Sequence, residues 1–202
     1  MKKIFLISLL SLCSFCTFAQ NTTEAKKVLD KTAAIVGRQG GAQAKFTVSS
    51  PNMDSQAGTI AIKGSMFQAK TPKAIVWYNG KTQWSYLRQT NEVNISTPTE
   101  AKRMSMNPYT FISMYKNGYD LSLTKKGNNY VVHMTAQNKK RSVQEVYITI
   151  NKKTSIPSQV KMKQGNTWTN INISNFRAVN QPNSNFTFNP KDFPQAEVID
   201  LR

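Results

Sequence analysis

Residues 77–86 read Trp-Tyr-Asn-Gly-Lys-Thr-Gln-Trp-Ser-Tyr and hold two of the chain's three tryptophans. Asn-Gly between alternating residues signals a two-residue hairpin turn. With Asn79-Gly80 as that turn, Trp77 falls opposite Thr82 and Ile75 opposite Trp84. Strand alternation then gathers Ile75, Trp77, Thr82, Trp84 and Tyr86 on one face, and Val76, Tyr78, Lys81, Gln83 and Ser85 on the other. What such a face offers is apolar contact, used either to seal a core or to hold a ligand.

Chemistry of other kinds is sparse. His133 is the single histidine, on a stretch reading Tyr-Val-Val-His-Met-Thr, where an ordinary half-buried strand residue is expected. The ten acidic residues are dispersed, with no close Asp/Glu pair. No G-x-S-x-G, H-E-x-x-H or phosphate-cradling glycine loop occurs. The serines and threonines have no nearby base to activate them. These features predict a protein that is not an enzyme, with no cofactor and no metal.

The elements that position the aromatic face follow from two rhythms. Over 21–36, Ala25, Val28, Leu29, Thr32 and Val36 recur at helical spacing, Lys26, Lys27, Asp30 and Lys31 face away, and Gly37 ends the helix. Thereafter the period is two: Ala44, Phe46 and Val48; Ile60 and Ile62; Val93 and Ile95; Leu121 and Leu123; Val146, Ile148 and Ile150; Ile171 and Ile173. Turn residues separate these runs at Lys126-Gly127-Asn128, Asn138-Lys139, Lys152-Lys153-Thr154 and Gln164-Gly165-Asn166. The pattern predicts an antiparallel meander of roughly nine to eleven strands.

One stretch interrupts it. Thr97-Pro98-Thr99-Glu100 is a capping box with proline at the first helical position, and Asn107-Pro108 starts a second helix that Gly118 can stop. The pair carries Met104, Met106, Tyr109, Phe111, Ile112, Met114 and Tyr115. It could plug the end of a barrel, or form an adaptable surface, since flexible polarizable methionines suit partners of variable shape.

At the N-terminus, Lys2 and Lys3, the apolar run Ile4 to Leu12 and Thr17-Phe18-Ala19 form a secretory signal predicted to be cut after Ala19. Cys13 and Cys16 raise lipidation as a rival, although Leu12 and Phe15 stand where a small residue should precede the modified cysteine. Cleavage removes both cysteines, and with them any disulfide, thiolate nucleophile or Cys-ligated metal. The remainder, 20–202, is read as one domain in a periplasmic, monomeric protein. The net charge of +17 is scattered, with Lys139-Lys140-Arg141 as the only run. It implies a solvated basic surface, or attraction to anionic lipid headgroups at about 1 kcal/mol per basic residue. No nucleic-acid recognition motif is present, and no nucleic acid is expected as a partner.

The landmarks, in order, are the N-terminal helix, Ala44-Lys45-Phe46, Gly58-Thr59-Ile60-Ala61-Ile62-Lys63, Phe67, the Asn79–Tyr86 hairpin, and Phe186-Thr187-Phe188-Asn189-Pro190. Pro194 and Glu197-Val198-Ile199-Asp200 follow. Together they resemble the LolA family of periplasmic lipoprotein carriers, the hairpin matching a [D/N]GKTxWxY element. The resemblance implies a mainly β, α+β fold: an incomplete antiparallel half-barrel with helices closing over its concave face as a lid. It implies a hydrophobic cavity lined by Ile60, Ile62, Met66, Phe67, Ile75, Trp77, Trp84, Tyr86, Ile95, Ile148 and Ile150. The lid would add Met104, Met106, Phe111, Ile112, Met114 and Tyr115. Alternatively, the tryptophan face only packs against the N-terminal helix.

The implied function is shielding lipoprotein acyl chains between inner and outer membranes. An inner-membrane ABC transporter of the lipoprotein-sorting type would load the carrier, and the outer membrane or a receptor there would accept the cargo. Other readings on the same scaffold are a carrier or sensor for another hydrophobic ligand (a glycolipid, a pigment, a mislocalised lipoprotein), and, from a different class, a periplasmic hydrolase. One departure stands out. Founding members carry Arg-Pro after the second strand, the arginine tying lid to barrel, whereas here the stretch is Lys63-Gly64-Ser65-Met66.

Overall fold

Helical spacing decides the first element. In the computed structural model, which describes residues 21–99 and 114–202, helix α1 runs over 21–36 and buries Ala25, Val28, Leu29, Thr32 and Val36. These are the residues that periodicity selects. Gly37 ends the helix, its N–H donating to the Ala33 carbonyl at 2.8 Å.

The rest is a single twelve-stranded sheet. Its strands are β1 (Ala42–Ser50), β2 (Met53–Lys63), β3 (Met66–Lys70), β4 (Ala74–Tyr78), β5 (Gln83–Leu87), β6 (Glu92–Ser96), β7 (Tyr119–Lys126), β8 (Asn129–Ala136), β9 (Glu145–Asn151), β10 (Pro157–Gln164), β11 (Thr167–Ala178) and β12 (Glu197–Asp200). The order is β12-β6-β5-β4-β3-β2-β1-β11-β10-β9-β8-β7. The fold is therefore mainly β, and the sheet is open, with β12 and β7 as its two edges. The four predicted turns fall at the β7–β8, β8–β9, β9–β10 and β10–β11 connections.

Two features depart from a plain meander. The strand count exceeds the expectation because Glu197-Val198-Ile199-Asp200 pairs with β6, in parallel. And β1 closes on β11, joining the two halves of the chain at the middle of the sheet. Consequently β6 and β7, consecutive in sequence, stand near opposite edges. Of the helix pair predicted between them over 98–117, residues 100–113, with Met104, Met106, Phe111 and Ile112, lie outside the described residues, as does the predicted signal. From Met114 the chain turns through Asn117, whose N–H donates to the Met114 carbonyl at 3.3 Å. It then enters β7 at Gly118, whose φ of 78° is open to glycine at little cost.

The sheet has two unlike faces. On one, Ala42, Ala44, Ile60, Ile62, Phe67, Ala69 and Tyr78 join Leu121, Leu123, Val132, Met134, Val146, Ile148, Ile150, Val160, Met162, Ile171 and Ile173 in one buried core beneath α1. Sixteen residues of helix span about 24 Å, roughly the width of the six strands from β7 to β1. Polar side chains fix the helix start to the edge strand. Asn21 Oδ1 accepts the Leu123 N–H at 2.6 Å, its Nδ2 donates to the Leu123 carbonyl at 3.2 Å, and Thr22 donates to the Leu121 carbonyl at 3.0 Å. Part of the outer hydrogen-bonding edge of β7 is thereby satisfied within the molecule.

Candidate functional site

The hairpin forms, with its register two residues from the expected one. Trp77 pairs with Trp84 and Ile75 with Tyr86, so the turn residues are Gly80 and Lys81. Asn79 Oδ1 accepts the N–H groups of Lys81 (3.0 Å) and Thr82 (2.9 Å), which places Asn79 at the base of the turn. Gly80, at φ 100°, then takes the first central position, the only one in this turn that needs a positive φ. A shift of two preserves the faces: Ile75, Trp77, Trp84 and Tyr86 do lie together.

That face is not continuous with Ile60, Ile62 and Phe67. Residues directly opposed across strands share a face, and the register runs Trp77–Gln68–Ala61–Gln43, whereas Tyr78–Phe67–Ile62–Ala42 lie on the α1 side. The expected cavity lining is thus divided between the two faces. Among the described residues, α1 is not what packs on the tryptophans. Instead Ile75, Trp77 and Val93 form a second cluster with Phe188, flanked by Trp84, Tyr86, Phe193 and Ala196. The Trp77 ring stands edge-on to Phe188 and Phe193, each centroid 5.6 Å away, and Tyr86 lies 4.6 Å from Phe193. Ile95, half-buried, pairs with Trp84 on this side.

The C-terminal segment that supplies these rings passes through two 3-10 turns, Asn183–Phe186 and Pro190–Asp192. Polar ties hold it. Lys63 Nζ donates to the Gln181 carbonyl (3.0 Å) and to Asn183 Oδ1 (2.8 Å). Asn91 accepts from Tyr86 Oη (3.0 Å) and donates to the Gln195 carbonyl (2.8 Å). Lys63 therefore secures the C-terminal segment among the described residues. Met66, paired with Lys63, is half-buried beside it.

On the α1 face, Ile60, Ile62, Phe67, Met114, Tyr115, Ile148 and Ile150 belong to one apolar core. Tyr115 is hydrogen-bonded through its hydroxyl to Asp30 Oδ1 on the helix. Burial, and then the bond to Asp30 and its negative charge, hold this phenol well above its ordinary pKa. Gln83 lies on the same side, opposite Tyr78 and 2% exposed. Its Nε2 donates to Ser85 Oγ at 2.9 Å, while its Oε1 is a buried acceptor with no partner among the described residues.

His133 occupies the other face, stacked on Tyr147 with ring centroids 4.0 Å apart. Glu145 sits between His133 Nε2 (3.3 Å) and Lys163 Nζ (2.9 Å). The bond to Lys163 holds this carboxyl below its ordinary pKa, against the opposing effect of burial, and His133 adds to the lowering. Among the described residues no cluster of His, Cys, Asp and Glu could hold a metal ion, and no helix is long and apolar enough to cross a membrane.

Residues 15–166 match the family described as outer membrane lipoprotein carrier protein LolA. The chain belongs to the LolA family. Among solved structures, an uncharacterized conserved protein from Thermus thermophilus is similar at a TM-score of 0.60 and 15% identity, covering 88% of this chain and 99% of that one. A DUF1329 family protein from Desulfovibrio piger is similar at 0.50 and 10% identity, covering 83% and 97%. A LolA superfamily protein from Nitrosomonas europaea has a TM-score of 0.46 and 11% identity, covering 81% and 97%. No curated protein matches the sequence. At these identities the structural likeness speaks for the fold alone, and the LolA assignment rests on the family match.

The sequence reading missed Phe193 and the covering role of Phe188. Their signal was the aromatic content of 186–193 beside a proline-broken stretch, a pattern without the periodicity that identifies packing faces.

Proposed function

We propose that this LolA-family protein is a periplasmic carrier that shields the acyl chains of lipoproteins in transit from inner to outer membrane. The observation that carries the reading is the long aliphatic face under α1, in a chain whose family is described as outer membrane lipoprotein carrier. Each methylene kept from water is worth about 0.8 kcal/mol, so a lipid anchor crosses an aqueous space only inside an apolar cover. A face built from Ile60, Ile62, Phe67, Ile148 and Ile150 offers that contact, and apolar surface discriminates poorly between similar chains. Specificity would then be for acyl chains in general.

The helix is anchored at its start by Asn21 and Thr22 and along its length by Asp30 with Tyr115. An exposed ion pair between Glu24 and Lys125 (2.8 Å) adds to this anchoring, while the buried side of the helix makes apolar contacts through Ala25, Val28, Leu29 and Val36. An acyl chain can replace contacts of that kind with others of similar strength, which suits reversible loading. Residues 20–202 act as one domain in this reading, supported by the single sheet that takes up every described strand. The role is that of a non-enzymatic chaperone in outer-membrane biogenesis. Cargo comes from an inner-membrane ABC transporter of the lipoprotein-sorting type and passes to the outer membrane or to a receptor there.

Mass spectrometry of lipids and lipopeptides that co-purify with the exported protein tests this directly. Stoichiometric acylated peptide is the expected result. A protein that purifies empty, and does not take up a triacylated lipopeptide from detergent, overturns the reading.

A further inference from the structure

The face opposite α1 carries a cleft of about 340 Å³ with a plan legible in the register. Two rows of side chains cross it, the first over β11, β1, β2 and β3 and the second over β1, β2 and β3. One row is Arg177–Gln43–Ala61–Gln68, and the next runs Lys45–Thr59–Lys70. The middle strand supplies the small residues, Thr59 and Ala61, and its neighbours supply long ones. The result is a depression floored by short side chains and walled by Lys45, Lys70 and Arg177.

Two local features shape it. At the β1–β11 junction the register slips by one residue between Gln43 and Lys45, and Asn175, which lines the cleft, adopts φ 50°. A bulge with a non-glycine residue in the left-handed region re-aims side chains and is found beside functional sites more often than chance. At the other end the C-terminal segment closes the cleft with Gln181 and Asn185. Gln181 is 7% exposed, and its Oε1 accepts from Asn185. Its Nε2 has no hydrogen-bond partner among the described residues.

The charge is one-sided. No carboxylate lines the cleft, and Lys45, Lys70 and Arg177 form no ion pair among the described residues. Three unpaired cations around one depression repel each other unless an anion joins them. Guanidinium, ammonium and amide N–H groups around a small floor suit a tetrahedral oxyanion, with Arg177 able to engage two oxygens at once.

We propose that this cleft is a binding site for a phosphate group, held by Lys45, Lys70 and Arg177 with the amides of Gln43, Gln68 and Gln181. The group belongs either to a lipid headgroup or to a free phosphate. The site lies on the face away from the aliphatic core and works independently of acyl-chain loading.

The test is an NMR titration of the 15N-labelled mature protein with inorganic phosphate, and separately with dihexanoyl phosphatidic acid below its micelle concentration. Saturable shifts in the side-chain amides of Gln43, Gln68 and Asn175 are expected. Lys70→Gln and Arg177→Gln, both at exposed positions, should each weaken binding by about tenfold. The equally charged control Lys26→Gln on the outer side of α1 should bind like the parent. Response to both ligands identifies a general phosphate site. Response to phosphatidate alone identifies a headgroup site, and to phosphate alone a soluble-anion site. Shifts that do not saturate, or that fall as much in the α1 control as in Lys70→Gln, would mean diffuse adsorption to a basic surface and overturn the proposal.

Discussion

The ammonium of Lys63 lies 3.0 Å from the carbonyl oxygen of Gln181, joining the end of β2 to the start of the C-terminal segment. A second bond, to Asn183 Oδ1, makes this a two-point clasp. Downstream of it, Phe188 and Phe193 close over Trp77. Replacing Lys63 by methionine keeps the aliphatic stem and removes both bonds. A loss of about 1 kcal/mol is expected, since a charged hydrogen bond at the surface is partly offset by water. Chemical denaturation should report that loss together with a red shift of tryptophan emission. An unchanged melt with unchanged emission would mean that the aromatic cluster alone holds the segment.

Gly58 marks a place where the sheet tolerates no side chain. A Cβ there would meet the Lys70 carbonyl oxygen at 2.4 Å and the Phe46 ring at 2.7 Å. The carbonyl is main chain and cannot swing aside. Gly58→Ala is therefore expected to destabilise by about 2 kcal/mol, in the range of core overpacking, although alanine usually favours strands and helices over glycine. Thermal melting of the variant checks it. A neutral or raised melting temperature would show that β2 and β3 can part without cost.

Glu145 sets a pH dependence whose sign is fixed. Its folded-state pKa is depressed by Lys163, opposed by burial and helped by His133, from an ordinary value of 4.5. The stabilisation is complete above that ordinary value and is lost as the pH falls below it through the folded-state pKa. Glu145→Gln should therefore flatten the decline in melting temperature on the acid side of about pH 4.5, the ordinary value, and leave its slope near neutrality unchanged. Parallel acid limbs in the two proteins would contradict this.

Much of this fold was legible because periodicity encodes burial. The buried positions of α1 are those at helical spacing, and every alternating run became a strand. What periodicity does not encode is which side of a sheet two separate strands share. Trp77 and Phe67 each sit in an apolar alternation, yet one residue of offset between β3 and β4 sends them to opposite faces. The hairpin register failed for a related reason: Asn79-Gly80 suits two turn placements, and the side-chain bonds of Asn79 select between them. The C-terminal cover was the least readable part. Phe188 and Phe193 lie five residues apart across Asn189-Pro190, and β12 is four residues long, too short for a pattern. The cationic cleft was invisible for its own reason, since Lys45, Lys70 and Arg177 meet only through pairing between distant strands.

The division into two faces gives the sharpest test of where acyl chains go. All three tryptophans lie away from the aliphatic core: Trp77 and Trp84 under Phe188 and Phe193, and Trp168 beside Tyr147, opposite Lys163 on β10. Brominated acyl chains quench tryptophan by contact. A chain lying on Ile60, Ile62 and Ile148 is separated from every indole by the sheet itself, since successive side chains point to opposite faces. Loading with a lipopeptide carrying brominated chains should therefore leave tryptophan emission within a few per cent of that with the unbrominated analogue, while a ratio of bound lipopeptide to protein near one confirms uptake. Strong quenching at full loading would instead put the chains among Trp77, Trp84 and Tyr86. That result would require the segment bearing Phe188 and Phe193 to lift away, and Lys63→Met would then accelerate loading. If loading is unchanged by that substitution and quenching is absent, the aliphatic face beneath α1 is where the chains reside.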